Sequence, residues 1–355
     1  MPLIFATPPR SICLLRLSAL GDVSHVLPVI LQLQQQWPNT KISWIIGSLE
    51  AEMIDGLTNI ELIIYNKKSG KAGRKQLKRQ LTERNFDLLL MMQVALRASL
   101  ISRWIKAPLK LGFDRSRARD FQWLFSNRKI AAQPQQHVLE GFFGFLTTLG
   151  IPPQPPQWHL PLPTEAIEFA QQRLPENQPI LVINACSSNR SRNFRNWSAD
   201  RYVEVAQHAH QHGMAVVLSG SPHPIEIKMA AAIQNNSSVP IINLVGKTRI
   251  KQLLAVLARA SVVISPDTGP AHMANALGTP VIGLYASSNP KRTGPYNALP
   301  WCVNRYPDAL KKYLNKTESE VRWGQRVRHP EAMLLIQVKE VTEKLDALLA
   351  WQAQT

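Results

Sequence analysis

The segment Ser265-Pro266-Asp267-Thr268-Gly269-Pro270-Ala271-His272 follows the apolar run 260–264. It reads as a buried strand that stops at a turn and opens into a helix. Asp267 or Thr268 suits the N-cap, and Pro270 suits the first helical turn. Gly269 lets a ligand come close to the backbone. A helix N-terminus presents free N–H groups and partial positive charge, so such a turn binds phosphate or ribose at the carboxyl end of a parallel strand. An ordinary capped turn would use the same residue types.

A second loop, Leu17-Ser18-Ala19-Leu20-Gly21-Asp22-Val23-Ser24-His25, follows the first strand-like run. Asp22 is placed to act as a general base at the mouth of a cleft, or to cap the helix that follows. The loop lacks G-x-G-x-x-G and is no dinucleotide fingerprint. A third loop, Cys186-Ser187-Ser188-Asn189-Arg190-Ser191-Arg192-Asn193-Phe194-Arg195-Asn196-Trp197, offers hydroxyls, amides and fixed positive charge to phosphate oxygens. Glu226 follows another strand and could accept hydrogen bonds from ribose hydroxyls, or simply lie in water on the first turn of a helix.

Basic residues gather at Lys67, Lys68 and Lys71, continuing to Arg79, and again at Arg115, Arg117 and Arg119. The formal net charge is +17. That excess points to a polyanionic partner: a phosphorylated or carboxylated substrate, an anionic membrane face, or nucleic acid. No aromatic interleaving marks a single-strand groove. No Asp-x-Asp pair occurs, and no histidine and carboxylate stand at metal-ligand spacing, so no metal centre is expected. Cys13, Cys186 and Cys302 are scattered singly, which fits a reducing compartment and no disulfide framework.

The elements that must hold these loops alternate between strand and helix. Strands are expected at 12–17, 42–46, 61–65, 88–92 and 109–112, then at 180–184, 215–220, 241–245, 262–265 and 281–286. Helices are expected within 23–36 and at 71–84, 95–105, 138–149, 199–211, 224–234, 250–260, 270–277 and 330–351. Pro28 must kink its helix or lie near its start. The Pro-rich stretch 151–163 excludes regular structure and marks a domain boundary. The pattern predicts an α/β protein of two doubly wound, Rossmann-like domains facing each other across a cleft. No apolar run approaches the roughly 18 residues of a membrane span. Arg16 interrupts the only early apolar run and no small-residue cleavage site follows, so a cytoplasmic protein is expected.

Together these segments resemble the lipopolysaccharide heptosyltransferases of glycosyltransferase family 9. The likeness rests on the 17–25 loop with Leu27-Pro28 and on Ser187-Ser188 with Arg195-Asn196-Trp197. It rests also on Asp267-Thr268-Gly269-Pro270-Ala271-His272 running on to Ala276-Leu277-Gly278-Thr279-Pro280, and on Arg292-Thr293-Gly294-Pro295-Tyr296. The resemblance implies a GT-B fold: an acceptor-binding domain over 1–163, a nucleotide-sugar domain over 164–329, and a terminal helix within 330–355 returning towards the first domain. It implies inverting transfer of heptose from ADP-L-glycero-D-manno-heptose to the Kdo/heptose inner core of lipid A-linked oligosaccharide, with no cofactor and no metal.

By position, Asp22 matches the family's catalytic base, and Ser187 and Ser188 match diphosphate contacts. Arg195 stands where the family has a lysine before tryptophan, which keeps the charge but not the ammonium geometry, and is assigned to catalysis and donor binding. Asp267, Thr268, Gly269 and His272 match the donor site, with Glu226 on ribose or adenine. Ser18, Gly21, Lys67, Lys68, Lys71, Arg115, Arg117, Arg119 and His137 are assigned to the anionic acceptor. Contact with the inner membrane's cytoplasmic face is expected, and nucleic acid is not. Two alternatives stay open: another nucleotide sugar in cell-surface polysaccharide synthesis, and a non-catalytic basic nucleic-acid-binding protein.

Overall fold

A computed structural model describes residues 5–187 and 193–354. The chain divides into two compact units, Met1–Pro161 and Leu162–Thr355. In the first, six parallel strands are β1 (Ser11–Leu15), β2 (Lys41–Gly47), β3 (Ile60–Tyr65), β4 (Leu88–Leu90), β5 (Leu109–Gly112) and β6 (Arg128–Lys129). They lie in the order β3-β2-β1-β4-β5-β6. Cys13 of β1 stands opposite Ser43 of β2 on one side and Leu89 of β4 on the other. The connecting helices are α1 (Leu20–Gln36), α2 (Ser48–Ile54), α3 (Gly70–Thr82), α4 (Leu96–Ser102) and α5 (Val138–Thr148).

The second unit begins with α6 (Thr164–Arg173). Its strands are β7 (Ile180–Ile183), β8 (Ala215–Leu218), β9 (Ile241–Asn243), β10 (Val262–Pro266), β11 (Val281–Tyr285) and β12 (Val303–Asn304). Their order is β12-β11-β10-β7-β8-β9. Read from the other edge, this repeats the order of the first sheet. The helices are α7 (Ala199–Gln211), α8 (Pro224–Asn236), α9 (Ile250–Arg259), α10 (Gly269–Ala276), α11 (Pro290–Thr293), α12 (Tyr306–Leu314) and α13 (Val338–Gln352). Strand order turns back between β1 and β4 in one sheet and between β7 and β10 in the other. Ligands of open parallel sheets bind beyond the carboxyl ends of the strands at such a point.

The central strands are predominantly apolar because helices cover both sheet faces. Cys13, Leu15, Ile45 and Leu89 pack with Leu77, Leu81 and Ile101 in the first unit. In the second, Leu181, Ile183 and Ile264 pack with Tyr202, Val205, Leu345 and Leu348. The edge strands β6 and β12 are two residues each and give no apolar period, and sequence reading misses them. It also misses α2, α6 and α12. The last helix starts at Val338, later than the expected residue 330. A 3-10 turn, Ala332–Leu335, precedes it, and a capping box starts it, the Gln337 N–H donating to Glu340 Oε2 at 2.8 Å.

Pro28 sits inside α1, neither at its start nor beyond it. Proline has no N–H for the carbonyl four residues back. That carbonyl, Ser24 O, accepts instead from Trp158 Nε1 at 3.0 Å. Gln32 and Gln154 exchange two further hydrogen bonds, at 2.9 and 3.0 Å. The Pro-rich stretch as far as Pro161 is therefore fastened along α1 rather than hanging free between units.

Candidate active site

In the first unit the carboxyl end of β1 leads through Arg16 and Leu17 into α1. Asp22 is the third residue of that helix, and its Oδ2 accepts from the Ala19 N–H at 3.4 Å. It is thus a helix cap, as one reading of the sequence has it. It is also ion-paired with Arg16, whose guanidinium is 10% exposed against 38% for the Asp22 side chain. Arg16 is itself fixed, its Nη1 donating to Met92 O at 2.6 Å beyond β4. A buried cation behind a half-exposed anion leaves one face of the carboxylate toward solvent and its orientation set from within. Ser18 is half-buried in the same loop, and Gly21 is buried in the first turn of α1.

Glu50, on the first turn of α2, is buried close to Arg16 and Lys67, and burial raises its carboxyl above the ordinary range. A side chain at Gly47 would collide with that carboxylate and come within 2.5 Å of Leu17 O, so glycine is required there. Lys67, Lys68 and Lys71 are exposed on the turn after β3 and the start of α3. Arg115 and Arg119 are exposed as well. Arg117 is not available in the same way. It pairs with Asp114, donates to Gln136 Oε1 at 2.8 Å and to Ala131 O at 2.7 Å, and braces its own loop. His137 is buried as the N-cap of α5, its Nδ1 accepting from the Leu139 N–H at 3.1 Å, with its ring edge-on to His25.

In the second unit the loops after β7 and β10 meet at the switch point. Arg195 Nη1 donates to Asp267 O at 2.6 Å and lies 3.3 Å from Asp267 Oδ2. His272 Nε2 stands 3.9 Å from Asp267 Oδ1. Burial pushes the Asp267 carboxyl up, but His272 and the charge of Arg195 outweigh it and hold the group well below the usual carboxylate range. Thr268 is the N-cap residue of α10 and makes no side-chain cap bond. Its hydroxyl is shared with Ser265 Oγ at 2.7 Å and with Asn184 Oδ1 at 3.3 Å. The amide end of α10, beginning at Gly269, is not capped by the Thr268 side chain and lies beside a fixed guanidinium, an arrangement suited to an anion.

Ser187 is buried, and its Oγ donates to Asn193 Oδ1 at 2.6 Å while its N–H donates to Asn196 Oδ1 at 2.9 Å. Ser188, with Arg190 and Arg192, falls outside the described residues. Glu226 lies on the first turn of α8 and accepts from Ser221 N at 2.7 Å and Ser221 Oγ at 2.5 Å. Burial pushes the thiols of Cys186 and Cys302 up to about 12 and that of Cys13 higher still, so none is poised as a nucleophile.

Sequence reasoning misses Arg16, Glu50 and Asn184, and it quotes Asn193 and Asn196 in their loop without giving them partners. For Arg16 the signal is present: a charged residue terminates a strand that is otherwise wholly apolar. Asn184 carries no signal, because its partners Ser219 and Thr268 lie on other loops.

Two Rossmann-like units in one chain, with the anion-suited end of a helix beyond β10, define the GT-B class of glycosyltransferases. Residues 74–323 match the family model described as glycosyltransferase family 9 (heptosyltransferase), and the chain belongs to that family. It is 41% identical over 348 residues to the lipopolysaccharide core heptosyltransferase OpsX of Haemophilus influenzae, covering 98% of this chain and 99% of that one. Its fold matches the family 9 glycosyltransferase of Veillonella parvula with a TM-score of 0.79 at 22% identity, over 96% and 97% of the two chains. It matches Escherichia coli heptosyltransferase WaaC, solved with ADP, with a TM-score of 0.71 at 20% identity, over 95% and 99%. The chain is therefore an enzyme of a lipopolysaccharide heptosyltransferase family, and a non-catalytic nucleic-acid-binding role is set aside.

Proposed function

We propose that this enzyme transfers heptose from ADP-L-glycero-D-manno-heptose to the inner core of lipopolysaccharide with inversion. The acceptor hydroxyl attacks the anomeric carbon, Asp22 takes its proton, and the bond from that carbon to the ADP oxygen breaks. Arg195 and the amide end of α10 receive the charge that develops on departing ADP. The base is fixed before substrate arrives, because Arg16 and the Ala19 N–H already orient Asp22. No metal is invoked, since a guanidinium and a helix terminus provide for the diphosphate.

The observation that carries the heptose assignment is the near full-length likeness to OpsX. The experiment is calorimetric titration of the purified chain with ADP, UDP and GDP, first without metal and then with magnesium. Clear preference for ADP without metal is expected. Preference for UDP or GDP would keep the fold and change the sugar, and binding that needs magnesium would remove the metal-free reading.

We infer also that the first unit rests on an anionic membrane face. No helix among the described residues is long and apolar enough to cross a membrane. Phe121 and Leu124 are 58% and 71% exposed on one turn, and Leu96 and Leu100 are exposed on α4. The Leu96 N–H donates to Asp120 Oδ2 at 3.2 Å, which sets the two groups side by side. Arg115 lies over the Trp123 ring at 4.6 Å, and Arg97, Arg103 and Arg119 are exposed nearby in sequence. Apolar tips among arginines suit a headgroup boundary. F121S/L124S is expected to lose most of its binding to vesicles rich in anionic lipid in a sedimentation assay, with ADP binding unchanged. Undiminished sedimentation would remove this surface from the reading.

A further inference from the structure

The spacing of histidines and carboxylates in sequence gives no expectation of a metal, yet the fold gathers three ligand atoms on the second unit. His208 is on the last turn of α7 and His212, four residues on, is the residue that caps its C-terminus, so the two side chains fall on one side of the helix end. Asp346 comes to them from α13. His208 Nε2 donates to Asp346 Oδ1 at 2.7 Å, and His212 Nε2 lies 3.4 Å from the same oxygen. The two imidazole rings have centroids 4.7 Å apart. All three ligand atoms fall within 4.8 Å of one another, the one such grouping among the described residues.

We propose that His208, His212 and Asp346 form a site for a divalent transition metal of the zinc class, bridging α7 and α13. Zinc bonds imidazole nitrogen and carboxylate oxygen at roughly 2.0–2.2 Å, so the vertices of its tetrahedron lie roughly 3.3 Å apart. The observed 2.7 and 3.4 Å bracket that spacing. Imidazole and carboxylate together suit zinc better than calcium or magnesium. A simple ion pair needs one histidine, and a second converging on the same oxygen adds little to it, whereas a cation uses both. On binding, the Nε2 proton that His208 now donates leaves to solvent and that lone pair goes to the metal. The fourth position is open to water.

The helices are already held in place without the metal. Trp197 Nε1 donates to Ile336 O at 3.2 Å, and Arg201 reaches the same carbonyl and also Leu334 O at 2.8 Å. Val341, Leu345 and Leu348 of α13 are buried in the core that Tyr202 and Val205 of α7 share. Little ordering remains to be done when the ion arrives, which favours binding.

The test is titration of the chelator-stripped, full-length chain with zinc ion alone, in competition with a chromophoric indicator, alongside thermal unfolding. One saturable equivalent is expected, with an unfolding midpoint that rises with zinc. His212→Gln and Asp346→Asn should each weaken that equivalent at least about tenfold and remove the rise, while His210→Gln, on the same helix outside the cluster, should change neither. His212→Gln keeps the bond between His208 and Asp346, so it decides the matter even if the Asp346 variant folds poorly. Absence of a saturable equivalent, or one that survives His212→Gln unchanged, overturns the proposal. Nucleotide binding is read separately and has no part in this outcome.

Discussion

Asp22→Asn is expected to lower the rate of sugar transfer by about 10²–10⁴-fold, the usual contribution of a positioned general base, which corresponds to about 3–5 kcal/mol of barrier. The amide keeps an oxygen that can accept from the Ala19 N–H, so the start of α1 survives. Arg16 keeps its bond to Met92 O. The loss should therefore appear in turnover, with ADP affinity, read on the second unit alone, near that of the parent. Steady-state rates on a lipid A-core acceptor, with calorimetry on ADP, separate the two. Full turnover in the variant would remove Asp22 as the base and leave it as a cap.

Asp267→Ala should act on stability and on donor binding together. Removing one partner of a buried ion pair costs about 3–5 kcal/mol, because the other charge is left behind without it. For a unit of this size that is about 10 °C in the unfolding midpoint. Among the described residues Arg195 would keep the backbone carbonyl of residue 267 to hold its guanidinium, and ADP binding should fall with it. The pH dependence has a definite sign. The Asp267 carboxyl is held below its unfolded-state value, so its contribution is fully present above about pH 4 and declines as pH falls through the folded-state value. Thermal unfolding between pH 7 and pH 3 should show the parent losing midpoint over this acid range more steeply than Asp267→Ala. Parallel curves would show that the pair does not matter to stability.

Much of this architecture is legible in the sequence because a parallel sheet is covered on both faces and its strands are unbroken apolar runs. Runs such as Ile180–Ile183 and the Val262-Val263-Ile264 start of β10 leave little choice of element. The short edge strands Arg128–Lys129 and Val303–Asn304 carry no such signal, since edges need not be apolar. The loops after β7, β8 and β10 are legible for the same reason as the strands, as each begins where an apolar run ends. What those loops do with one another is not legible. Ser187 reads as a free hydroxyl, but only the folded chain brings Asn193 and Asn196 to it. Arg117 reads like its neighbours Arg115 and Arg119, but its fate is decided by Asp114, Gln136 and a backbone carbonyl. Asp346 stands more than 130 residues from His212, and no spacing rule reaches that far.

The repetition of one strand order in both sheets has a consequence for how such enzymes diversify. Each sheet builds its own switch point from its own first and fourth strands, and the loops at one share no residue with the loops at the other. On the proposed assignment, substitutions that retune which activated sugar is held fall after β7, β8 and β10, and those that retune the recipient fall after β1, β3 and β5. On that proposal, a lineage can vary its leaving group and its target as two nearly independent characters.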